Sequence, residues 1–350
     1  MHPSGDIYLA CGIINGCNVA AKLESISSKG QTLEHDFHVL KILSEGMGLP
    51  NVQWLGSEGG YNAIVFDCLG PSLEDLFIGS NYKICRRTVS NLAKQLVSQT
   101  NYFILQIHYP LHIHSWNIVH HDLKPSNILM GIGNWANIFY VIDFGLAKEF
   151  RSLDTHCHIP FHCGWGLTRT SLFMSYHSHL GYKLGRWDDS ESLTYILIYL
   201  LHGGLPWQGL VSHDLIAQVK LEISIREFCF GLLGEYTTLL SYSHAPAFNT
   251  KLNYDYLSGL FTDPVLHILN SICSWPKIIS LSFVSEDVCY DFTSCLPYSD
   301  IPTYDITLTS LWHHPYLWLH FTPLRRHHQN TINTARCRSP NLTCSYLVTW

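Results

Sequence analysis

The feature that most narrows what this chain can fold into is an ordered set of three short segments. VAAKLES carries Lys22 near the end of a run that reads as a strand. HHDLKPSNIL presents Asp122, Lys124 and Asn127 on what reads as a loop, and IDFGLA places Asp143 sixteen positions after Asn127. Each is weak evidence alone. An Asp two positions before a Gly is an ordinary turn former, and Lys124-Pro125-Ser126-Asn127 reads equally well as a turn. The order and separations together override those individual readings, because they bring one ammonium, one carboxylate on a loop and two further hard oxygen donors into a single pattern.

The surroundings place these segments on elements. IYLA and NVAAKLES are two strands joined by Asn15-Gly16, residues that tolerate positive φ. LEHDFHVLKILSEG sets Phe37, Leu40, Lys41 and Leu43 at helical spacing and stops at Gly46. NAIVFDCLGPSLEDLF runs a strand into a Gly-Pro break and a helix start at Ser72, where Glu74 and Asp75 complement the helix dipole. A small β-rich part therefore hands over near Gly70 to a mostly helical one, with RRTVSNLAKQLVSQTNYFILQIH and DDSESLTYILIYLLHG as its long helices. The fold class is α+β.

Residues 262–350 differ in character. They hold eleven Asp, Glu, Lys or Arg among 89 positions and show no sustained periodicity. The expectation is a domain over 1–261, divided at 69/70, followed by an atypical, poorly ordered tail that adds little to the core and nothing to the site. A net charge of −6 gives no electrostatic case for nucleic acid or anionic membrane as partner. The first sixteen residues lack the pattern of a secretory signal, and the apolar run Leu193–Leu201 is about half the ~20 residues a membrane span needs. The expectation is a soluble monomer of the cytoplasm or nucleus that uses neither nucleic acid nor membrane. Its twelve scattered cysteines read as reduced thiols.

The three segments match what protein-kinase chemistry requires. Transfer of a γ-phosphate from ATP needs charge held in place rather than covalent help. Asp122 is then the group that accepts or orients the proton of the incoming hydroxyl, and Lys124 neutralises charge on the transferring group. Asn127 and Asp143 are Mg²⁺ ligands, since Mg²⁺ prefers carboxylate and carbonyl oxygens. Lys22 holds the α- and β-phosphates.

From about Gly5 to Phe261 the chain also resembles the casein kinase I family, through GDIYL, KLES, LGPSLEDLF, IDFGLAK, HIP, SHLG, DDSES and LPWQGL. That resemblance implies a two-lobed fold, an N-lobe over 1–69 whose first strand is missing and a helical C-lobe over 70–261, with ATP and Mg²⁺ as cofactors and Ser/Thr-bearing proteins as substrates. It further implies that Ile7 and Ala20 roof the adenine and that Leu129 and Ile142 form its floor. The backbone of Asp67–Leu69 is the hinge, Phe66 the gatekeeper, and Asp189 braces the catalytic loop. The partner of Lys22 is Asp36, one methylene shorter than the usual Glu, with Glu34 on a different helix face as the substitute.

The departures from the pattern bear on ATP binding and on substrate choice. The glycine-rich phosphate loop is reduced to His2-Pro3-Ser4-Gly5, with Gly5 its nucleotide-binding remnant. His121 replaces an Arg before Asp122, and Leu172 replaces an Arg that reads acidic groups on substrate. His156, Cys157, His158, His162 and Cys163 have zinc-ligand chemistry, but their spacing fits no common closed site, and the incidental reading is preferred. Two functional readings stand: a Ser/Thr kinase, or an impaired pseudokinase that serves as a binding module or is a degenerate gene product.

Overall fold

The computed structural model describes residues 6–12, 16–28, 32–43, 48–97, 113–152, 157–160, 171–244, 252–261 and 319–323. The strands are β1 (Asp6–Gly12), β2 (Asn18–Ser25), β3 (Val52–Glu58), β4 (Tyr61–Asp67), β5 (Ile118–Val119), β6 (Ile128–Met130), β7 (Phe139–Val141), β8 (Lys148–Glu149) and β9 (Leu319–Pro323). The helices are α1 (Leu33–Ile42), α2 (Leu73–Gly79), α3 (Arg86–Val97), α4 (Tyr176–His179), α5 (Arg186–His202), α6 (His213–Glu222), α7 (Ile225–Phe228), α8 (Gly234–His244) and α9 (Tyr254–Gly259). The result is a mixed α/β structure with a small antiparallel sheet and several helices.

The main sheet has the order β3-β4-β2-β1-β9. Residues of β2 alternate between its faces, so Val19 and Ala21 join Ala10 and Val65 in a small cluster on one side. Ala20 lies opposite Phe66 and Lys22 opposite Ile64, and the apolar members of that face enter the main core. The β3–β4 register pairs Glu58 with Tyr61, leaving Gly59-Gly60 as a two-residue turn; both glycines have positive φ, as a primed hairpin turn requires.

The edge of the sheet differs from expectation. Leu319–Pro323 pairs antiparallel with Tyr8–Gly12, so a strand from the distal tail occupies the free side of β1. Strand pairing uses backbone N–H and C=O groups, which every sequence carries. Five residues in a stretch without periodicity give no advance sign of it.

Beyond Asp67 the chain passes to α2 and is tied to β6 on the way: Gly70 N donates to Met130 O (2.8 Å) and Met130 N to Pro71 O (2.9 Å). α2 begins where the sequence indicated. Ser72 accepts from Asp75 N (3.1 Å), while the Asp75 carboxylate accepts from Ser72 N (3.0 Å), a reciprocal capping box. The expected long helix after Arg86 is described as α3 to Val97, and its continuation over 98–112 lies outside the described residues.

α5 is the axis of the helical part. Of its seventeen residues fourteen are buried, which explains why its sequence shows no polar stripe: there is almost no solvent face to mark. It ends at Gly203 with φ +90°, the left-handed conformation that glycine adopts without a Cβ clash. Among the described residues no helix is long and apolar enough to cross a membrane.

Because the capping box closes the junction between sheet and helices, Ser72→Ala is expected to lower unfolding free energy by about 1 kcal/mol with an unchanged m-value in urea.

Candidate active site

β2 positions α1 through two side chains on one face. Lys22 and Glu24 are two residues apart, so they project to the same side of the strand. The Glu24 carboxylate accepts from Thr32 N (3.0 Å) and Leu33 N (3.3 Å), occupying amides that a helix start leaves unpaired. Lys22 Nζ reaches the next turn and donates to Asp36 Oδ2 at 3.1 Å. Glu34 is exposed and takes no part in this contact.

Lys22 also donates to Asp143 Oδ1 at 2.8 Å. Three segments far apart in sequence thus meet at one ammonium that is 4% exposed. Burial by itself disfavours its charge, but the carboxylates of Asp36 and Asp143 more than reverse this and hold the group well above the ordinary lysine value. Asp143 responds in the opposite sense. Burial pushes its carboxyl up, whereas Lys22 and then Lys124 pull it well below the ordinary range.

Asp36 has a second task. Its Oδ1 accepts from Phe144 N at 3.0 Å, fixing the backbone immediately after Asp143. Asp143 needs that restraint, because its φ of 70° and ψ of 65° are left-handed, a conformation costly for a residue with a Cβ. Gly145 follows where a Cβ would come within 3.0 Å of Thr32, so this turn and the start of α1 pack closely.

The second cluster is built on the loop between β5 and β6. Lys124 Nζ donates to Asp122 Oδ2 at 2.5 Å, and Asn127 Nδ2 donates to Asp122 O at 3.0 Å. The β6–β7 register, Ile128 opposite Val141, brings Asn127 and Asp143 to one end of that ladder. Ile142 N donates to Asn127 O at 3.0 Å across it. His120 completes the link. Its Nδ1 accepts from Asp122 N (3.2 Å), which requires the Nε2–H tautomer, and Nε2 then donates to Ile142 O (3.1 Å).

The loop is braced from α5. Asp189 Oδ2 accepts from His120 N (2.7 Å) and Oδ1 from His121 N (2.9 Å). These bonds hold His121 at φ 71°, a second left-handed residue beside the site. His114 Nε2 donates to the same carboxylate (3.0 Å), while its Nδ1 faces Tyr254 Oη at 2.9 Å. Burial opposes ionisation of Asp189, yet these histidine neighbours hold its carboxyl down at about 2. Burial also pushes His114 below its ordinary value.

The residues fit a hard divalent cation. Asn127 is fully buried, and its Oδ1 has no hydrogen-bond partner, so an acceptor oxygen is left over at the end of the β6–β7 ladder from which Asp143 also emerges. The other nucleotide candidates lie as follows. Ile7 opposes Lys22 and Leu9 opposes Ala20 across β1–β2, which puts Ile7 and Ala20 on the face of Lys22. Leu129 bridges to Ser72, and Ile142 is buried next to Asp143. Asp67 turns its carboxylate back to Asn51 N and Gln53 Nε2, and its own N donates to Asn51 O at 3.1 Å. Gly5 lies outside the described residues, as do His156, His162 and Cys163. Among the described residues no group of three or more His, Cys, Asp or Glu could hold a metal ion.

The family model described as the protein kinase domain matches residues 72–316, well over half of the chain. This chain belongs to the protein kinase family. The match extends beyond residue 261, the boundary expected from composition. It also covers Asp122, Lys124, Asn127 and Asp143, while Lys22 and Asp36 precede it. The bracing groups of this kinase domain were less visible in sequence. Glu24 could have been found from its two-residue offset from Lys22 and His120 from its place two residues before Asp122, but His114 carries no local mark that separates it from the other histidines.

A cavity of about 330 Å³ is lined by His35, His121, Lys148, Glu149, Ile159 and Tyr182–Leu184. None of the nucleotide candidates line it.

Asp189 is acidic in the fold relative to its ordinary value near 3.8, so it adds stability above that pH and loses it as pH falls towards 2. The shift corresponds to about 2 kcal/mol. Asp189→Asn is expected to be less stable at pH 7 and to show a shallower loss of stability between pH 5 and 2, read from urea midpoints of both proteins.

Proposed function

We propose that this kinase domain is an ATP-dependent protein serine/threonine kinase of the casein kinase I type, transferring a γ-phosphate to a hydroxyl. The observation that carries this reading is Lys22 held between Asp36 and Asp143, with Asp122, Lys124 and Asn127 fastened to the same turn through His120 and Ile142. In this reading residues 1–69 and 70–261 are two lobes. Adenine lies between Ile7 and Ala20 on one side and Leu129 and Ile142 on the other, against the Asp67–Leu69 backbone.

Asn127 Oδ1 and the Asp143 carboxylate are the ligands for Mg²⁺, which when bound neutralises phosphate charge and fixes phosphate geometry. Lys22 stays protonated at neutral pH by its two carboxylates and in this reading contacts the α- and β-phosphates. Asp122 accepts the hydroxyl proton, and Lys124, already beside it, offsets charge on the group being transferred. Substrates in this reading are Ser/Thr-bearing proteins met in the cytoplasm or nucleus. The phosphate loop reduced to His2–Gly5 favours the second reading, a kinase fold that binds without transferring.

The two carboxylates separate the roles. Asp143→Asn is expected to weaken Mg-ATP binding tenfold or more, since it removes charge from the cation site. Asp122→Asn is expected to leave that affinity within about threefold and to abolish transfer. Calorimetric titration beside a ³²P transfer assay measures both. Wild-type binding without transfer would establish the binding-module reading, and equal, negligible effects of both substitutions on transfer would end the kinase reading.

A further inference from the structure

Lys220 is buried in the helical part, 6% exposed, and plays no part in the chemistry above. From α6 its Nζ donates to Met174 O at 2.6 Å and to Ser171 O at 3.2 Å, and it meets His179 Nε2 at 3.2 Å. The rings of Tyr195 and Trp207 lie 4.8 and 4.9 Å from the same nitrogen. Trp207 Nε1 donates to Leu172 O at 2.7 Å. Three carbonyls of one four-residue stretch are therefore gripped by two side chains from elsewhere in the fold.

That stretch is registered to the catalytic loop through α5. Asp189 holds the amides of His120 and His121, while its neighbour Asp188 accepts from Ser175 Oγ (2.6 Å) and Glu191 from Tyr176 N (2.8 Å). One helical turn thus fixes the loop bearing Asp122 and the segment 171–176 together.

We propose that Lys220 is a proton-linked positioning residue that clamps segment 171–176 as part of the surface that receives the peptide substrate. The substrate role rests on the kinase reading; the clamp does not. Either protonation state can be satisfied in place. An ammonium donates to both carbonyls and to His179 Nε2, whereas a neutral amine donates to the carbonyls and accepts from an Nε2–H tautomer. Burial brings the Lys220 ammonium down to about 7, against the opposing effect of Glu191.

The other groups facing the cluster are His179 on α4, His213 on α6, Glu191 on α5 and, behind Glu191, His244 on α8. His179 is itself pushed down to about 3 by burial and by Lys220, and so is uncharged at neutral pH. A lysine released to water has its ordinary value of ~10.4. Closing the clamp therefore gives up a proton between about 7 and ~10.4: the closed state gains as pH rises through that window and is weakest below it.

Hydrogen exchange of the amides of residues 172–176 tests this, after correction for the intrinsic pH dependence of exchange. In the wild-type protein protection is expected to rise about tenfold or more between pH 7 and 9. Lys220→Met is expected to lower protection and remove the pH step. If the domain transfers phosphate, the variant should raise the peptide KM about threefold or more at pH 8.5 with the ATP KM within about twofold. Equal wild-type protection at both pH values, or an unchanged step in the variant, would overturn the clamp; the wild-type measurement stands even if the variant does not fold. An unchanged peptide KM in an active variant would overturn the substrate role. Complete lack of transfer by the wild type would count against the kinase reading and leave the exchange result to decide the clamp.

Discussion

Lys22 between Asp36 and Asp143 is the contact on which the site depends. It joins β2, α1 and the turn after β7, and its partners lie 14 and 121 positions away in sequence. Removing the ammonium would leave two carboxylates close together in a largely buried setting, which is more costly than losing the pair outright. The arrangement is specified at several points at once: Glu24 caps α1, Asp36 restrains Phe144, and the left-handed Asp143 is held by Lys22. Strain is tolerated where hydrogen bonds over-determine the backbone.

A second constraint comes from the start of α5. Asp188, Asp189 and Glu191 are all buried, and each carboxylate is met by backbone amides, hydroxyls or histidines rather than by Lys or Arg. Buried acids of this kind serve as fixed acceptors for segments with no regular structure of their own. The loop bearing Asp122 and segment 171–176 owe their mutual register to one helical turn. The left-handed His121 beside the site is held by this bracing through Asp189.

Much of this was legible before any coordinates. Strand alternation and helix spacing gave β1, β2, β4, α1, α3 and α5, Ser72 with Asp75 announced the start of α2, and the three polar segments marked the groups that meet. Less legible were contacts whose partners are single residues without a local pattern. His114 and Lys220 are ordinary letters in the sequence, and a histidine-rich chain hides the few that matter. The strand at Leu319–Pro323 was missed for another reason: edge pairing is a backbone property, and a five-residue strand has too little side-chain periodicity to stand out.

The sequence by itself determined which chemical groups this chain can bring to a phosphate and in what order along the chain, because residue type and spacing are covalent facts. Only the tertiary structure decided that Asp36 also holds Phe144 N, that Asn127 Oδ1 is left with an open acceptor position, and that Asp189 turns both oxygens to the loop. Those outcomes depend on burial. Whether a carboxylate stays charged, and whom it bonds, is set by how much water the surrounding packing excludes, and that packing is assembled from residues far apart in the chain.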